Sequence, residues 1–255
     1  EMCIRDSSTF RARLTQQCTK LRSDTGDTGS VAWKSSFHFA QNLLPQLWGS
    51  QNANGPSLFH LDRLAGSRVL EIGAGTGILA ASLLTNPNWI PSGHPPLRYL
   101  ATDQSTNIPL LHKNLDSLHD PLGRFRLYVD ELNWRTYRDV CESANAPRLV
   151  PRLLRDTLAP FSGESGSPEY PDLILSVDCV YNPSLYPQLL STIELLCAPR
   201  HTVVLCIVQL RAYDSVHEFL DTWLRSARFA IHALDESVFP ASVRQGWVAW
   251  LAWRT

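Results

Sequence analysis

The stretch Arg68-Val-Leu-Glu-Ile-Gly-Ala-Gly-Thr-Gly-Ile-Leu-Ala80 decides how this chain folds. Val69 and Leu70 read as the end of a buried β-strand, and Ile78 to Leu84 as the start of a helix. Between them Gly73, Gly75 and Gly77 form a turn with no side chain to keep a ligand from the backbone. Glycine suits such a turn because it accepts positive φ and leaves amide N–H groups reachable at a helix N-terminus. The spacing discriminates between ligands. A dinucleotide fingerprint, G-x-G-x-x-G opening at Gly73, needs Gly or Ala at position 78, where this chain has Ile78. The plain alternative is an ordinary tight β-to-α turn. A strand before, a helix after and the acidic Glu71 inside the motif favour a site for a nucleoside-containing ligand.

Bulk properties narrow the class. A chain of 255 residues that is 44% hydrophobic can bury one sizeable core. Net charge is −1 with 18% charged residues, which gives no electrostatic footprint for nucleic acid or an anionic membrane. The longest apolar runs, Val203 to Val208 and Trp247 to Trp253, are strand-sized and too short to cross a bilayer. The six cysteines (Cys3, Cys18, Cys141, Cys179, Cys197 and Cys206) include no C-x-x-C pair, and no His cluster stands at ligand spacing. No metal is therefore expected, and reduced thiols in a cytoplasmic protein, with a nuclear location also open, are the plain reading. The first residues lack the basic-then-apolar order of a secretory signal. Glu1 to Ser7 resembles no element of a fold and reads as a fragment end or an assembly scar. The expected division is a disordered or artefactual lead over 1–25 and a single domain over 26–255, with an insertion at 144–171.

Beyond the glycine turn, strands and helices alternate, which predicts a mostly parallel sheet covered on both faces. Leu97 to Thr102 reads as a second strand ending at Asp103, Ile108 to Leu118 as a helix, and Arg124 to Val129 as a third strand. Ala144 to Pro171, rich in Pro, Arg, Gly and Ser, reads as a surface insertion with one helical turn around Leu153. Leu173 to Val177 is the fourth strand, Pro187 to Cys197 a helix, Thr202 to Leu210 the fifth strand and Ser215 to Ser226 an amphipathic helix. Phe229 to Leu234 and Trp247 to Trp253 close a seven-stranded sheet. A loop joins those last two, so one of them is expected antiparallel. Upstream, Phe39, Ala40, Leu43, Leu44 and Leu47 share a helical face despite Pro45.

The E-x-G-x-G-x-G form of the loop resembles that of S-adenosylmethionine-dependent methyltransferases. That ligand has an amino-acid tail, a sulfonium, a ribose diol and an adenine to be held. The Gly73–Gly77 turn suits the tail. Asp103, twenty-six residues beyond Gly77 at the end of the next strand, suits the ribose hydroxyls, with a helix N-cap as the plainer role. Trp134, in Glu131-Leu-Asn-Trp134, lies at the correct sheet edge to wall the adenine, though core packing would also use it. Asp178 and Tyr181 follow the fourth strand, where open α/β sheets place their ligand crevice. A methyl acceptor must approach in line with a free lone pair. For a lysine, with an ordinary pKa of ~10.4, the site must collect and orient the neutral amine. A carboxylate beside the mouth attracts the cationic form and can bond the amine, and a tyrosine ring can wall the channel. Tyr181 could equally be a core aromatic at a strand end.

Four ordered motifs then resemble the seven-strand protein-lysine methyltransferases, the methyltransferase family sixteen class. D-x-x-Y after strand four is matched by Asp178-Cys-Val-Tyr181, T-G-x-x-x-W before the core by Thr28-Gly-Ser-Val-Ala-Trp33, and L-x-W after strand three by Leu132-Asn-Trp134, alongside the glycine loop. Shorter strings, Trp33-Lys-Ser-Ser36, Ala101-Thr-Asp-Gln104, Asp178 to Asn182 and Gln209-Leu-Arg211, are similar to those of the ribosomal lysine N-methyltransferase 5 branch. The resemblance covers roughly 26–254. It implies S-adenosyl-L-methionine as cofactor and a protein lysine, on a ribosomal or other translation-related protein, as acceptor. By the same resemblance Trp33, Trp134 and Val177 line the cofactor pocket, while Glu71, Gly73, Ala74 and Gly75 hold the tail. The expected enzyme is a monomer with no stable nucleic-acid or membrane partner. The rivals are a small-molecule methyltransferase and an inactive binding module of the same fold. The Asn- or Asp-Pro-Pro-aromatic string of adenine amino-methyltransferases is missing, because Cys179 follows Asp178 with no proline pair after it.

Overall fold

The computed structural model describes residues 2–5, 11–16, 36–37, 39–40, 64–85, 95–118, 120, 122–163, 167–211, 213–226, 228–235 and 246–255. The strand that feeds the glycine loop, β1 (Arg68–Ile72), alternates its side chains between the two faces of a sheet. Val69 points into one core with helix α1 (Ile78–Thr85), and Leu70 and Ile72 into the other. Both faces of this strand are therefore apolar, as a strand covered on two sides requires.

The chain continues through β2 (Leu97–Asp103), α2 (Ile108–Leu115), β3 (Phe125–Glu131), α3 (Trp134–Glu142), α4 (Ala146–Thr157), β4 (Leu173–Val177), α5 (Tyr186–Leu196), β5 (Val203–Gln209), α6 (Tyr213–Arg225), β6 (Phe229–Ala233) and β7 (Trp247–Arg254). The sheet runs in the order β3-β2-β1-β4-β5-β7-β6. Strands β3, β2, β1, β4 and β5 are mutually parallel, and β7 runs antiparallel to both β5 and β6. This is the expected seven-stranded, mostly parallel Rossmann-like architecture, and of the last two strands β7 is the antiparallel one. The chain leaves β1 in one direction toward β2 and β3, then returns to place β4 on β1's other side. That reversal puts a crevice at the carboxyl ends of β1 and β4.

The insertion departs from its sequence reading. In place of one helical turn around Leu153, α4 runs for 12 residues and a 3₁₀ turn follows at Ala159–Phe161. Pro147 falls in the first turn, where a missing N–H costs nothing, but Pro151 lies inside the helix and gives up a bond. Burial of Leu158 and Phe161, with Leu153 and Leu154 packed on the same core, offsets that loss. The composition of the segment concealed this packing. An ionic clamp fixes its far end: Glu169 pairs with Arg68 at 2.7 Å and with Arg98 at 2.9 Å, and Arg98 also donates to Phe161 O at 2.8 Å.

Within the 1–25 lead, residues 2–5 and 11–16 are described. Met2–Arg5 pairs antiparallel with Arg11–Leu14 as a hairpin, and Leu14 is buried. The Asn114 side chain accepts from Thr15 N at 2.7 Å and donates to the carbonyls of Thr15 and Thr76, both at 2.9 Å. The N-terminal segment is thereby tied to the glycine loop. Phe39 and Ala40 are buried in the core beside α1. Thr28, Trp33, Leu43, Leu44 and Leu47 lie outside the described residues.

Candidate active site

Gly73, Gly75 and Gly77 adopt φ of +70°, +57° and +81°. All three occupy the left-handed region, which penalises any residue with a Cβ. Space is equally restrictive. A Cβ on Gly73 would stand 2.8 Å from Cys179 Sγ, and one on Gly77 would stand 2.9 Å from both Leu111 Cδ1 and Leu115 Cδ2. Ala74 N donates to Thr102 O at 2.8 Å, so the loop is stitched to β2.

Asp103 ends β2 with its carboxylate turned onto the same loop. Oδ2 accepts Gly75 N at 2.7 Å, while Oδ1 accepts Gln104 N at 2.8 Å and Asn107 Nδ2 at 2.9 Å. The N-cap of α2 is Asn107 and not Asp103, whose carboxylate instead braces the glycine loop and the turn before the helix.

Glu71 differs from its expectation. Resemblance gives it the amino-acid tail, yet its side chain is buried and accepts the Tyr99 hydroxyl at 2.7 Å. Burial pushes its pKa up to about 7, against the lowering effect of the Tyr99 hydroxyl and with a further rise from the nearby Asp103. The alternation of β1 explains this, because Glu71 shares the face of Val69, inside the sheet's own cover. The described geometry makes Glu71 a support beneath the loop.

Trp134 opens α3, where Asn133 caps the helix by accepting Arg135 N at 3.1 Å. The indole is half-buried, and its Cζ2 lies 3.7 Å from where a Cβ on Gly73 would stand. The wall expected for an adenine is thus beside the loop. Trp33, the second expected tryptophan, lies outside the described residues.

Across the switch point β4 brings Val177, which is buried, and Asp178, whose φ is +60°. Aspartate tolerates that conformation better than most residues, and such corners recur at working sites. Cys179 Sγ donates to Ile72 O at 3.1 Å and joins this corner directly to the end of β1. Burial raises the Cys179 thiol far above its ordinary range, so it stays a neutral donor. Tyr181 is 43% exposed at the crevice and is not a core aromatic.

The electrostatics of Asp178 differ from the sequence reading. Arg211 Nη1 donates to Oδ1 at 3.0 Å and its Nη2 to Oδ2, and Gln209 N donates to Oδ1 at 3.3 Å. The carboxylate at the mouth is therefore one half of a bidentate ion pair and not a bare anion that draws in a cation. In the sequence Gln209-Leu-Arg211 stands only as a family string; the signal for the pairing is an arginine just past one strand and an aspartate just past the strand beside it. Among the described residues no group of three or more His, Cys, Asp or Glu could hold a metal, and no helix is long and apolar enough to cross a membrane.

Comparison with known proteins agrees with this geometry. The model of the lysine methyltransferase family matches residues 15–149 and 161–225. The chain is 33% identical over 171 residues to the protein N-lysine methyltransferase METTL21A of Danio rerio, covering 66% of this chain and 60% of that protein. It is 28% identical to the ribosomal lysine N-methyltransferase 5 of Kluyveromyces lactis, covering 91% and 76%. A Schizosaccharomyces pombe protein named diaminohydroxyphosphoribosylamino-pyrimidine deaminase is 25% identical over 213 residues, which is 82% of this chain but 41% of that protein. The chain spans about two fifths and three fifths of the length of that deaminase and of METTL21A. With the family model covering both the glycine loop and the Asp178 corner, the chain belongs to the lysine methyltransferase family, whose members depend on S-adenosylmethionine.

Proposed function

We propose that this domain binds S-adenosylmethionine and methylates a lysine side chain of another protein. The observation that carries the reading is the direct junction of two half-sites: a glycine loop at positive φ ends β1, an aspartate corner at positive φ ends β4, and Cys179 Sγ bonds Ile72 O between them. The loop suits the cofactor because its three glycines, all at positive φ, carry no side chain to keep a ligand from the backbone at the start of α1. Gly73, Ala74, Gly75 and Gly77 would hold the amino-acid tail, Asp103 the ribose, and Trp134 and Val177 the adenine side. When bound, the cofactor supplies a methyl group on a positively charged sulfur.

The chain's own residues do the positioning. Asp178 presents carboxylate oxygens at the crevice to orient an amine, and Tyr181 walls its approach. No strong general base is needed, since an amine with a free lone pair is already the nucleophile. A macromolecular acceptor is supported by the surface around the mouth. Tyr181, Leu210 and Tyr213 are 43%, 40% and 78% exposed at the ends of β4 and β5, and exposed apolar groups gathered at one place mark docking surfaces. A ribosomal or other translation-related acceptor draws on the name of the Kluyveromyces lactis relative alone. The test is incubation of the purified chain with radiolabelled S-adenosylmethionine and cell extract. A labelled protein band whose label resides in methyl-lysine is expected, and label confined to small molecules would overturn the reading.

A further inference from the structure

The ion pair at the crevice asks for more than the Asp178 motif explains. The Asp178 side chain is 5% exposed and that of Arg211 is 39% exposed, so one partner is sunk in the crevice and the other reaches the surface. Three donors from the end of β5, namely Gln209 N and two guanidinium nitrogens, converge on a carboxylate at the end of β4. A bidentate guanidinium fixes the plane of a carboxylate in a way that one ammonium does not. Orientation is half of the matter and charge is the other half. A lysine amine attacks only with its lone pair free, and a buried carboxylate without a counter-charge stabilises the ammonium, which has no lone pair. The guanidinium offsets that charge while leaving the carboxylate in place.

We propose that Arg211 is the positioning residue of the acceptor site: it fixes the Asp178 carboxylate to orient a protein lysine amine and offsets its charge, so that the amine is not trapped as an ammonium. This rests on reading Asp178 as the group that orients the lysine. Among the described residues, the other titratable and charged groups near the pair include Cys179 beside Asp178, Cys206 on β5, Asp103 across the crevice, Tyr181, and Tyr213 and Asp214 on the first turn of α6. Burial pushes Cys206 up to about 12 and Cys179 higher still, so neither thiol titrates in the range where the amine would.

The test uses the full chain, radiolabelled S-adenosylmethionine and cell extract as the source of acceptor, with Arg211→Met, Arg211→Lys and the double variant Asp178→Asn/Arg211→Met. The labelling rate of Arg211→Met at saturating extract should fall roughly tenfold to a hundredfold near neutral pH and recover much of that loss by about pH 9.5. The extract concentration for half-maximal rate should not rise. S-adenosylhomocysteine affinity by calorimetry should stay within about twofold of the parent. Arg211→Lys, which keeps the charge and loses the fork, should show a smaller loss with little pH dependence and covers the case in which the methionine variant fails to fold. In the Asp178→Asn background Arg211→Met should add nothing. A loss equal at both pH values, a loss that adds to that of Asp178→Asn, or a parallel loss of S-adenosylhomocysteine binding overturns the role given to Arg211. Parental activity in both single variants removes this inference alone, whereas no labelling by the parent removes the lysine reading as well.

Discussion

The Tyr99 hydroxyl donates to Glu71 Oε2 at 2.7 Å, and neither side chain is more than 2% exposed. This pair lies within the sheet that carries the glycine loop, so its protonation is coupled to the integrity of the cofactor side. Glu71 titrates near its ordinary value of 4.5 when unfolded and at about 7 when folded. A raised pKa in the folded state means that the stability contribution is complete below about pH 4.5 and is lost as pH rises through about 7. The loss amounts to about 3 kcal/mol at 1.36 kcal/mol per unit. Glu71→Gln keeps an acceptor for Tyr99 and removes the titration. Its melting temperature relative to the parent should therefore be higher at about pH 8 than at about pH 5. An equal difference at both pH values would show that Glu71 does not titrate in this window.

Gly73 offers a test of packing at the junction. Alanine there meets an unfavourable φ and the Cys179 sulfur at 2.8 Å. Stability should fall by about 2–4 kcal/mol, from the left-handed backbone together with overpacking. Replacing Cys179 by Ala in the same chain removes the obstacle and leaves the backbone penalty. Chemical denaturation should place the double variant at least about 1 kcal/mol above the sum of the two singles. Simple additivity would mean that the two residues do not meet as described.

Asp103 separates two roles that sequence alone cannot part. Asp103→Ala removes the acceptor for Gly75 N, Gln104 N and Asn107 Nδ2, so the melting temperature should drop whatever the carboxylate does for a ligand. If it also takes the ribose, S-adenosylhomocysteine affinity should fall by ~1–3 kcal/mol. Calorimetry with the 2′-deoxy analogue distinguishes the cases. The parent should prefer the ribose form and Asp103→Ala should not, whereas a preference retained by the variant would leave only the role of bracing the loop.

Much of this arrangement was legible in the sequence because glycine spacing and strand periodicity are local signals. Gly73, Gly75 and Gly77 announced positive φ, and all three adopt it. The seven strands appeared within a few residues of their places, since each is a short apolar run between turn residues. What stayed hidden depends on distant partners. The Pro-, Arg-, Gly- and Ser-rich composition of 144–171 reads as a surface insertion, whereas packing of Leu158 and Phe161 sustains a 12-residue helix there. Glu71 looked like a ligand group until the pleat of β1 turned it toward Tyr99. Arg211 gave no local sign of being the counter-charge to a residue 33 positions away, because only the pairing of β4 with β5 brings them together.

The final prediction concerns the two residues that would touch the acceptor. Asp178→Asn keeps the shape of the side chain, yet its amide nitrogen would face a guanidinium nitrogen where Oδ2 now accepts Arg211 Nη2. The corner loses both its charge and its fixed plane. Protein labelling should fall by at least ~10²-fold, the loss expected for one preorganised positioning group. S-adenosylhomocysteine affinity should change little, because the glycine loop, Asp103 and Trp134 are untouched. Tyr181→Phe keeps the ring, so labelling within about tenfold of the parent would fit a wall, while a loss as deep as that of Asp178→Asn would assign the hydroxyl to the amine itself. A purely structural Asp178 predicts a different pattern, in which melting temperature, cofactor affinity and labelling decline together. Undiminished labelling by Asp178→Asn would remove this aspartate from the acceptor site.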